Sequence, residues 1–255
     1  MRSITDVLWD EWLAAPFYTP GEADLEVAAL LLSMKEQATN TLFSLRSKRF
    51  FVFRRLHKLW DAGAWKSRGD LGSLLRLPPD LKGRPSLSVP VSLIEKAAEL
   101  SSGVPGRNAG ERWAWLRGVW GGLGALYLPQ TGYYMVIRIE GEKNLLRENT
   151  GALLKKARIR FMERSGVSHV DILIRDQAQI VGFLAGLNLF QTGLLMEEKS
   201  LMRSMRNRAN KLVNCDSANI RKSLDAAEKQ LALAQRLCSE GVLDRLPPSF
   251  RELVR

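Results

Sequence analysis

The chain has few histidines and cysteines, the residues most often used as nucleophiles, bases and metal ligands, and their spacing fits no catalytic pattern. It contains two histidines, His57 and His169, and two cysteines, Cys215 and Cys238. Neither pair has the short spacing of metal ligands, and no Ser–His–acid set or HExxH sequence is evident. We therefore expect no catalytic residue, no metal ion and no cofactor. Both cysteines are most simply buried thiols.

Two weaker signals point toward acid–base or ligand chemistry, and each has a structural alternative. Asp171 could pair with Asp176 or Glu163 as carboxylates, but acids at such spacings are common. The stretch GVWGGLG at residues 118–124 invites a dinucleotide-binding interpretation. That motif follows a strand and opens a helix, whereas these glycines lie inside a helical pattern and precede a strand. We predict instead that this glycine face, with Ala114, lets a second helix approach closely.

The segment 204–219, SMRNRANKLVNCDSAN, is rich in amides and cations, with four Asn, two Arg, one Lys and one acid. Cations on a helix can reach phosphate oxygens, and amides can bond phosphate, base edges or backbone. We predict that DNA is contacted by Arg203, Arg206, Asn207, Arg208, Asn210, Lys211, Asn214, Arg221 and Lys222. The alternative is that the amides brace a junction between two helices.

The overall charge supports an acidic partner. The net charge is +11 and the pI is near 9.9, which favours nucleic acid first and an anionic membrane second. Residues 46–68 hold eight Lys or Arg and one acid, and residues 199–222 hold seven Lys or Arg and one acid. Such clustering favours a binding surface. The sequence shows no signal peptide and no run of membrane-spanning length, so we expect a cytoplasmic protein without a membrane partner.

The middle third has the clearest periodicity. It predicts a helix over 110–124, a hairpin over 125–140, a helix over 142–159, a hairpin over 158–176 and a helix over 176–190. The first third follows the same order less well, with a helix beginning at Asp24 and a weak hairpin over 34–45. We therefore predict an α+β fold of two tandem αββαββα repeats, the first degraded.

The predicted hairpins place apolar side chains on one face and polar side chains on the other. The outward residues are Tyr134, Val136, Arg138, Glu140, His169, Asp171, Leu173 and Arg175, with Arg158, Arg160 and Arg164 alternating outward as well. A sheet face that carries arginines could track phosphates, and a solvated sheet face is the alternative.

From Gln191 onward the pattern is all-helical. Residues 196–214 form one predicted helix, and Asp216 or Ser217 can cap the next, which Gly241 ends. A narrow apolar stripe runs through this second helix at Ile220, Leu224, Ala227, Leu231, Ala234 and Leu237.

Residues 205–230, MRNRANKLVNCDSANIRKSLDAAEKQ, resemble a recurring segment of the WhiA family of bacterial sporulation and cell-division regulators, approximately MRN-x-x-N-[RK]-LVNC-[ED]-[ST]-AN. The stretch RWAWLRGVWGGLGALYL is similar to that family's second LAGLIDADG-type helix. The resemblance covers residues 106–255 well and residues 1–105 loosely. It implies a degenerate LAGLIDADG homing-endonuclease-like repeat at 1–105, a second repeat at 106–192, and a helical linker with an incomplete helix-turn-helix region at 193–255.

The resemblance also implies where an active nuclease of this fold would hold metal. There, an acid just before the final glycine of each motif helix binds the ion, and the matching positions here are Met34 and Leu123. Neither side chain can coordinate Mg²⁺, which prefers oxygen ligands. A scaffold kept for binding after cleavage was lost is therefore implied. The family's helix-turn-helix continues past LPPSFRELVR, so we expect either a shortened chain or a short relative without its groove reader.

The leading hypothesis is a non-catalytic, nucleoid-associated transcriptional regulator in cell division and sporulation control. It would bind double-stranded DNA through the basic segment 203–222, as a monomer with internal pseudo-two-fold symmetry. One alternative is a protein-interaction module that docks a transcription or division factor. Another is residual LAGLIDADG endonuclease activity, against which the missing acids at Met34 and Leu123 speak.

Overall fold

The structure is a computed structural model that describes residues 2–38, 42–77, 85–129, 132–141, 143–242, 245 and 247–248. The chain divides into two compact units, Met1–Glu197 and Glu198–Arg255. The first unit contains both β-sheets, and the described part of the second is almost entirely helical. The residues that follow Pro248 lie outside the described part of the chain.

The first repeat runs in the predicted order, preceded by one additional helix. The additional helix is α1 (Ile4–Ala14). The repeat itself contains α2 (Pro20–Ser33), β1 (Lys35–Ala38), β2 (Leu42–Arg46), α3 (Phe50–Trp60), α4 (Leu71–Leu74), β3 (Leu75–Arg76), β4 (Ser86–Pro90) and α5 (Val91–Ser102). The additional helix α1 begins at a capping box, in which Ser3 and Asp6 each bond the other's backbone N–H.

The second repeat contains the elements that the periodicity of the middle third predicts. They are α6 (Ala109–Leu123), β5 (Gly124–Tyr127), β6 (Tyr134–Glu140), α7 (Asn144–Lys156), β7 (Met162–Ser165), β8 (His169–Ile174) and α8 (Gln177–Gly186). One long helix, α9 (Phe190–Ser239), follows.

The two sheets share one topology. The strand order is β1-β2-β4-β3 in the first repeat and β5-β6-β8-β7 in the second, and neighbouring strands are antiparallel in both. The predicted α+β fold of two tandem repeats is confirmed. The first sheet is the weaker of the two, because β1 and β3 contain four and two residues.

The predicted alternation along the second sheet is confirmed for β6, except that the outward residue Val136 is itself buried, at 8% exposed. Met135, Ile137 and Ile139 are buried beneath the sheet, whereas Arg138 is exposed on the other face. The expectation that Arg158 and Arg160 alternate along the same sheet is wrong, because both precede β7 and the backbone turns there, with Arg158 at a φ of 57°. Of these three arginines, Arg164 alone lies on a strand.

The glycines of α6 serve packing, as predicted. A Cβ built on Gly118 would lie 2.5 Å from the backbone oxygen of Glu26 and 2.8 Å from the Cβ of Ala29, both on α2. One turn later, a Cβ on Gly122 would overlap the side chain of Ser33. The missing side chains therefore allow α2 and α6 to lie in close contact along the middle of the first unit.

The start of α2 lies four residues before the predicted position. Thr19 accepts a hydrogen bond from the backbone N–H of Glu22, and Pro20 occupies the first helical position. Proline lacks an N–H and has a fixed φ, so it begins a helix as readily as it ends one. The prediction of a start at Asp24 is wrong because it treats Pro20 and Gly21 as a break.

The predicted junction within the C-terminal helical region is wrong. Asp216 and Ser217 lie inside α9, which is continuous from Phe190–Ser239. Residues 194–240 contain no Gly or Pro, so neither strong breaker of a helix interrupts this stretch. Gly241, with a φ of 64°, follows the end of the helix as predicted.

The start of α9 is fixed by a carboxylate from α1. Glu11 accepts hydrogen bonds from the backbone N–H groups of Gln191 at 2.7 Å and Thr192 at 2.9 Å, and from the Thr192 hydroxyl at 2.7 Å. A negative charge at this position is favourable because the first N–H groups of a helix have no partner within it.

Candidate nucleic-acid interface

The nine residues predicted to contact DNA all lie on α9. At 3.6 residues per turn, Arg203, Asn207, Asn210, Asn214 and Arg221 fall along one line of this helix. On one side of the line lies Arg206, and on the other lie Lys211 and Lys222. Arg208 lies farthest from it. We call these nine residues the basic face of α9.

The cations of the basic face are available to solvent. Arg206, Arg208, Lys211, Arg221 and Lys222 are exposed, and no described carboxylate forms an ion pair with any of them. The ion pair near the end of the helix joins Arg236 to Glu240 at 2.8 Å. The alternative role for the asparagines, bracing a helix junction, is wrong because α9 has no junction there.

The rest of the α9 surface forms an exposed apolar side, which adjoins the basic face at Arg206. Its members are 55–62% exposed: Leu201, Met202, Met205, Leu212, Val213, Ile220 and Leu224. In the predicted apolar stripe, Ile220, Leu224 and Leu231 are 60–61% exposed, and Ala234 and Leu237 are half-buried. Within its own unit the stripe meets no described core. Cys215 and Cys238 are exposed as well, so the expectation that they are buried thiols is wrong.

The first basic window, residues 46–68, is partly structural. Arg55 is fully buried, and its guanidinium binds the carboxylate of Glu26 at 2.7 Å. Arg117 binds the same carboxylate at 2.8 Å. Burial raises the pKa of Glu26, but the two guanidinium groups lower it by more, so the net pKa lies below its ordinary value. At least one cation of this window therefore belongs to the interior, so the charge of the window overstates what a binding surface could present.

A second candidate interface is a large open cleft in the first unit, which we call the saddle cleft. Its volume is about 1270 Å³, and it is lined by the outer faces of both sheets and by the ends of α2 and α6. The cationic residues in its wall are Lys35, Arg46, Lys48, Arg49, Arg138, Lys143, Arg164 and Arg175, and the acidic ones are Glu36, Glu140 and Asp171.

Several cations of the saddle cleft are neutralised within it. Arg138 binds Asp171 through two hydrogen bonds of 2.7 and 2.8 Å between cross-strand neighbours. Lys35 binds Glu140 at 2.5 Å. The pKa of Asp171 is lowered, chiefly by these hydrogen bonds from Arg138. The sheet face is therefore a mixed surface in which ion pairs alternate with cations such as Arg46 and Arg164.

The three carboxylates considered as catalytic partners do not come together. Asp171 pairs with Arg138, Asp176 caps α8 and binds Arg160 at 3.0 Å, and Glu163 binds Arg147 at 2.6 Å. Each acid is thus engaged with its own arginine. Among the described residues, no group of three His, Cys, Asp or Glu side chains could hold a metal ion.

The positions that hold metal in a LAGLIDADG nuclease do not fit a metal here. Met34 and Leu123 lie at the ends of α2 and α6, and both line the saddle cleft. A thioether and an alkyl group offer no oxygen ligand for a hard cation. Two cations lie at these helix ends instead, Lys143 and Arg49, and burial lowers the pKa of both, that of Arg49 to about 10.

Comparison with known proteins agrees with this architecture. Residues 209–255 match a family model described as the WhiA C-terminal HTH domain. A relative from Lacticaseibacillus casei, named "Probable cell division protein WhiA", is 30% identical over 190 residues, which are 72% of this chain and 54% of the relative. One of the same name from Syntrophomonas wolfei is 25% identical over 227 residues, 88% of this chain and 66% of the relative.

Solved structures show the same fold. The crystal structure of full-length DUF199/WhiA from Thermatoga maritima matches 97% of this chain and 83% of its own, with a TM-score of 0.64 and 18% identity. The predicted resemblance to the WhiA family is confirmed. The N-terminal LAGLIDADG domain of DUF199/WhiA, with a TM-score of 0.54 and 16% identity, covers 73% of this WhiA-like chain and 91% of its own.

The chain spans about half the length of the curated relatives that it matches, 54% in the Lacticaseibacillus casei protein. Within the described residues, none of the helices combines the length and the apolar character needed to cross a membrane.

Sequence reasoning missed the side chains that organise the first unit. Glu26, Arg55 and Arg117 form one buried cluster, although 91 residues separate Glu26 from Arg117. Lys143 and Arg49 reach helix ends that are 72 to 111 residues away. A charged residue inside an apolar helical pattern, as at Glu26 in ADLEVAALLL, was the available signal.

Proposed function

We propose that this chain is a non-catalytic, DNA-binding transcriptional regulator of the WhiA type, acting at the nucleoid in cell division and sporulation control. The relatives' name supports a role in cell division, and the match to a helix-turn-helix model supports DNA as the partner. The observation that carries the proposal is the basic face of α9, whose exposed cations Arg206, Arg208, Lys211, Arg221 and Lys222 bind no described carboxylate.

The basic face suits contact with the DNA backbone. Lys and Arg neutralise phosphates and release counterions, which gives affinity without sequence information. Asparagines among these cations add donors for phosphate oxygens or base edges. Arg206 and Lys211 flank the line of asparagines on its two sides, so both can approach phosphates while the amides face a groove.

The test is a titration of labelled duplex DNA with the full chain, followed by fluorescence anisotropy at several salt concentrations. We expect Arg206→Ala with Lys211→Ala to weaken binding to all sequences alike. The slope of log affinity against log salt should become shallower by about 2, since each lost phosphate contact removes about 0.9. Salt-insensitive binding would contradict the proposal.

A matched control removes the same charge elsewhere. Arg54 on α3 and Lys155 on α7 are exposed, line no part of the saddle cleft and form no ion pair with a described carboxylate. Arg54→Ala with Lys155→Ala should leave the salt slope unchanged. If this pair weakens DNA binding as much as the α9 pair does, net charge rather than the basic face is responsible.

The second candidate function, a protein-interaction module, is favoured by the exposed apolar side of α9. Leu212 and Leu224 are about 61% and 60% exposed, and exposed apolar patches of this kind mark docking sites for other proteins. The occupant would be a transcription or division factor. Leu212→Gln with Leu224→Gln changes no charge, so it should abolish capture of that factor while DNA affinity stays within about twofold.

Cleavage is not part of the proposed function, because Met34 and Leu123 offer no oxygen ligands. Supercoiled plasmid incubated with the full chain and Mg²⁺ should remain supercoiled, as judged by gel electrophoresis. Nicking that depends on Mg²⁺ and disappears with EDTA would revive the endonuclease alternative.

A further inference from the structure

The central helices α2 and α6 both end at the floor of the saddle cleft. The last carbonyl groups of a helix lack partners within it, and the helix dipole makes that end partly negative. A cation at each end is therefore favourable. The side chains at the two ends, Met34 and Leu123, bring no carboxylate that would bind a divalent ion there.

Two side chains of this chain occupy those positions as cations. The ammonium of Lys143 donates to the backbone oxygens of Leu32 at 2.6 Å and Met34 at 2.5 Å, at the end of α2. The guanidinium of Arg49 donates to the backbone oxygen of Gly121 at 2.8 Å and to that of Gly124, at the end of α6. Both helix ends are thus capped by a half-buried positive charge.

The two caps are exchanged between the repeats. Arg49 immediately precedes α3 in the first repeat and caps the central helix of the second repeat. Lys143 immediately precedes α7 in the second repeat and caps the central helix of the first. The two residues therefore hold equivalent positions in the tandem fold, and each links its own repeat to the other.

Neighbouring groups hold the caps in place. Glu36 lies 3.3 Å from the Lys143 ammonium and balances its charge. The Arg49 guanidinium lies over the ring of Trp9, 5.0 Å from its centroid, so its face is covered by an aromatic side chain. The cation at each helix end is therefore a side chain of the protein itself.

We propose that the ends of α2 and α6 in the saddle cleft form a centre that binds no metal. In this centre Lys143 and Arg49 take the place of the divalent ions of the nuclease fold, and they stabilise the contact between the two repeats, which we call the lock. Each side chain comes from one repeat and binds backbone oxygens at the end of the other repeat's central helix. The saddle cleft is consequently formed in the same way whether or not divalent metal is present.

The first test uses the unaltered full chain. Backbone amide NMR signals are recorded while Mn²⁺ is added, because bound Mn²⁺ broadens the signals of nearby amides. We expect Met34, Gly122 and Gly124 to broaden no more than amides near exposed carboxylates such as Glu148. Selective broadening at the ends of α2 and α6 would overturn the proposal.

The second test removes the caps. Lys143→Met and Arg49→Met should each lower Tm by about 4–10 °C, since each leaves two helix-end carbonyls without a charged donor. The controls Lys155→Met and Arg54→Met remove equal charges from exposed positions and should shift Tm by less than about 2 °C. Cap variants that melt together with their controls would overturn the lock.

The third test asks whether a metal can take the place of the ammonium. Met34→Asp alone should gain no Tm from Mn²⁺, because Lys143 already fills the site. Met34→Asp with Lys143→Met frees Glu36 and should gain about 3 °C or more from Mn²⁺. An equal Mn²⁺ effect in both chains, or none in the double variant, would overturn the replacement.

Discussion

Glu26 on α2 is the centre of a buried ion cluster that connects α2 to α3, α6 and α1. Its carboxylate lies between Arg55 on α3 and Arg117 on α6, and all three side chains are almost fully buried. Arg55 also donates to the backbone oxygens of Leu13 and Ala15, which tie α1 to the same cluster. Two buried cations are stable beside one another only while the shared carboxylate balances their charge.

Removing this one negative charge should therefore be costly. Glu26→Gln keeps the shape of the side chain but leaves two buried guanidinium groups without a counterion, so we expect it to destabilise the chain by about 3–5 kcal/mol. Urea unfolding followed by tryptophan fluorescence measures this free energy. The control Glu148→Gln, at an exposed position of α7, should change it by less than about 0.5 kcal/mol. Equal values for the two variants would contradict the role of the cluster.

A second residue-scale prediction concerns pH. The pKa of Asp171 is lowered from its ordinary 3.8, first by hydrogen bonds from Arg138. A depressed folded-state pKa means that the stabilisation is complete above about 3.8 and is lost as pH falls through the folded value. Asp171→Asn should thus cost about 1 kcal/mol at pH 6, since Arg138 is half exposed, and progressively less as pH falls below 3.8.

The measurement for Asp171 is urea unfolding at several pH values between 6 and 2.5. Asp225→Asn on α9 is the control, because that residue is exposed and forms no ion pair with a described cation. The gap between the original chain and Asp171→Asn should close on acidification. A gap that stays constant would show that the ion pair does not titrate with folding.

At the scale of elements, the contact between α2 and α6 is set by glycine. Gly118→Ala places a methyl group against the Glu26 backbone and Ala29, so we expect a loss of about 1–3 kcal/mol. Gly182→Ala on α8 is the matched control, because a Cβ there meets no atom within 4 Å. That variant should gain about 0.5–1 kcal/mol from better helix propensity. Opposite signs in thermal melts are the expected result, and equal signs would contradict it.

The elements that could be predicted from sequence are those whose periodicity is strong. Met135, Ile137 and Ile139 alternate with polar residues, so β6 was predictable, and the repeating order of the second half followed from such strands. β1 and β3, with the sequences KEQA and LR, have no such alternation and are strands because β2 and β4 pair with them. For that reason the hairpin over 34–45, which contains β1, could be predicted only weakly. The break at Asp216 was predicted from cap chemistry alone, which cannot interrupt a helix without a change of backbone direction.

The candidate site divides in the same way. The basic face of α9 is local, so its cations could be read from the segment 203–222 directly. The caps Lys143 and Arg49 are not local: each acts on a helix that belongs to the other repeat, and nothing within several residues of either one marks it. Contacts of this kind form only when the two repeats pack together. The sequence pattern of a single repeat gives no information about that packing.

At the scale of the whole molecule, the two units differ in how they bury apolar surface. Among the described residues, every buried apolar side chain lies at or before Met196, and residues 198–239 are almost all exposed. The first unit therefore holds the described hydrophobic core, while the second presents the basic face and the exposed apolar side of α9. Stability is expected to depend on the first unit and DNA affinity on the second.

This division predicts the behaviour of a shortened chain. Residues 1–197 retain Met196 and the bonds from Glu11 to Gln191 and Thr192, so this fragment should unfold cooperatively within about 3 °C of the full chain's Tm. A fragment of residues 1–189 loses those contacts and exposes the core around Met196, and it should melt at least about 5 °C lower. Calorimetry of the two fragments beside the full chain measures both. A 1–197 fragment that melts without a cooperative transition would show that the second unit contributes to the core.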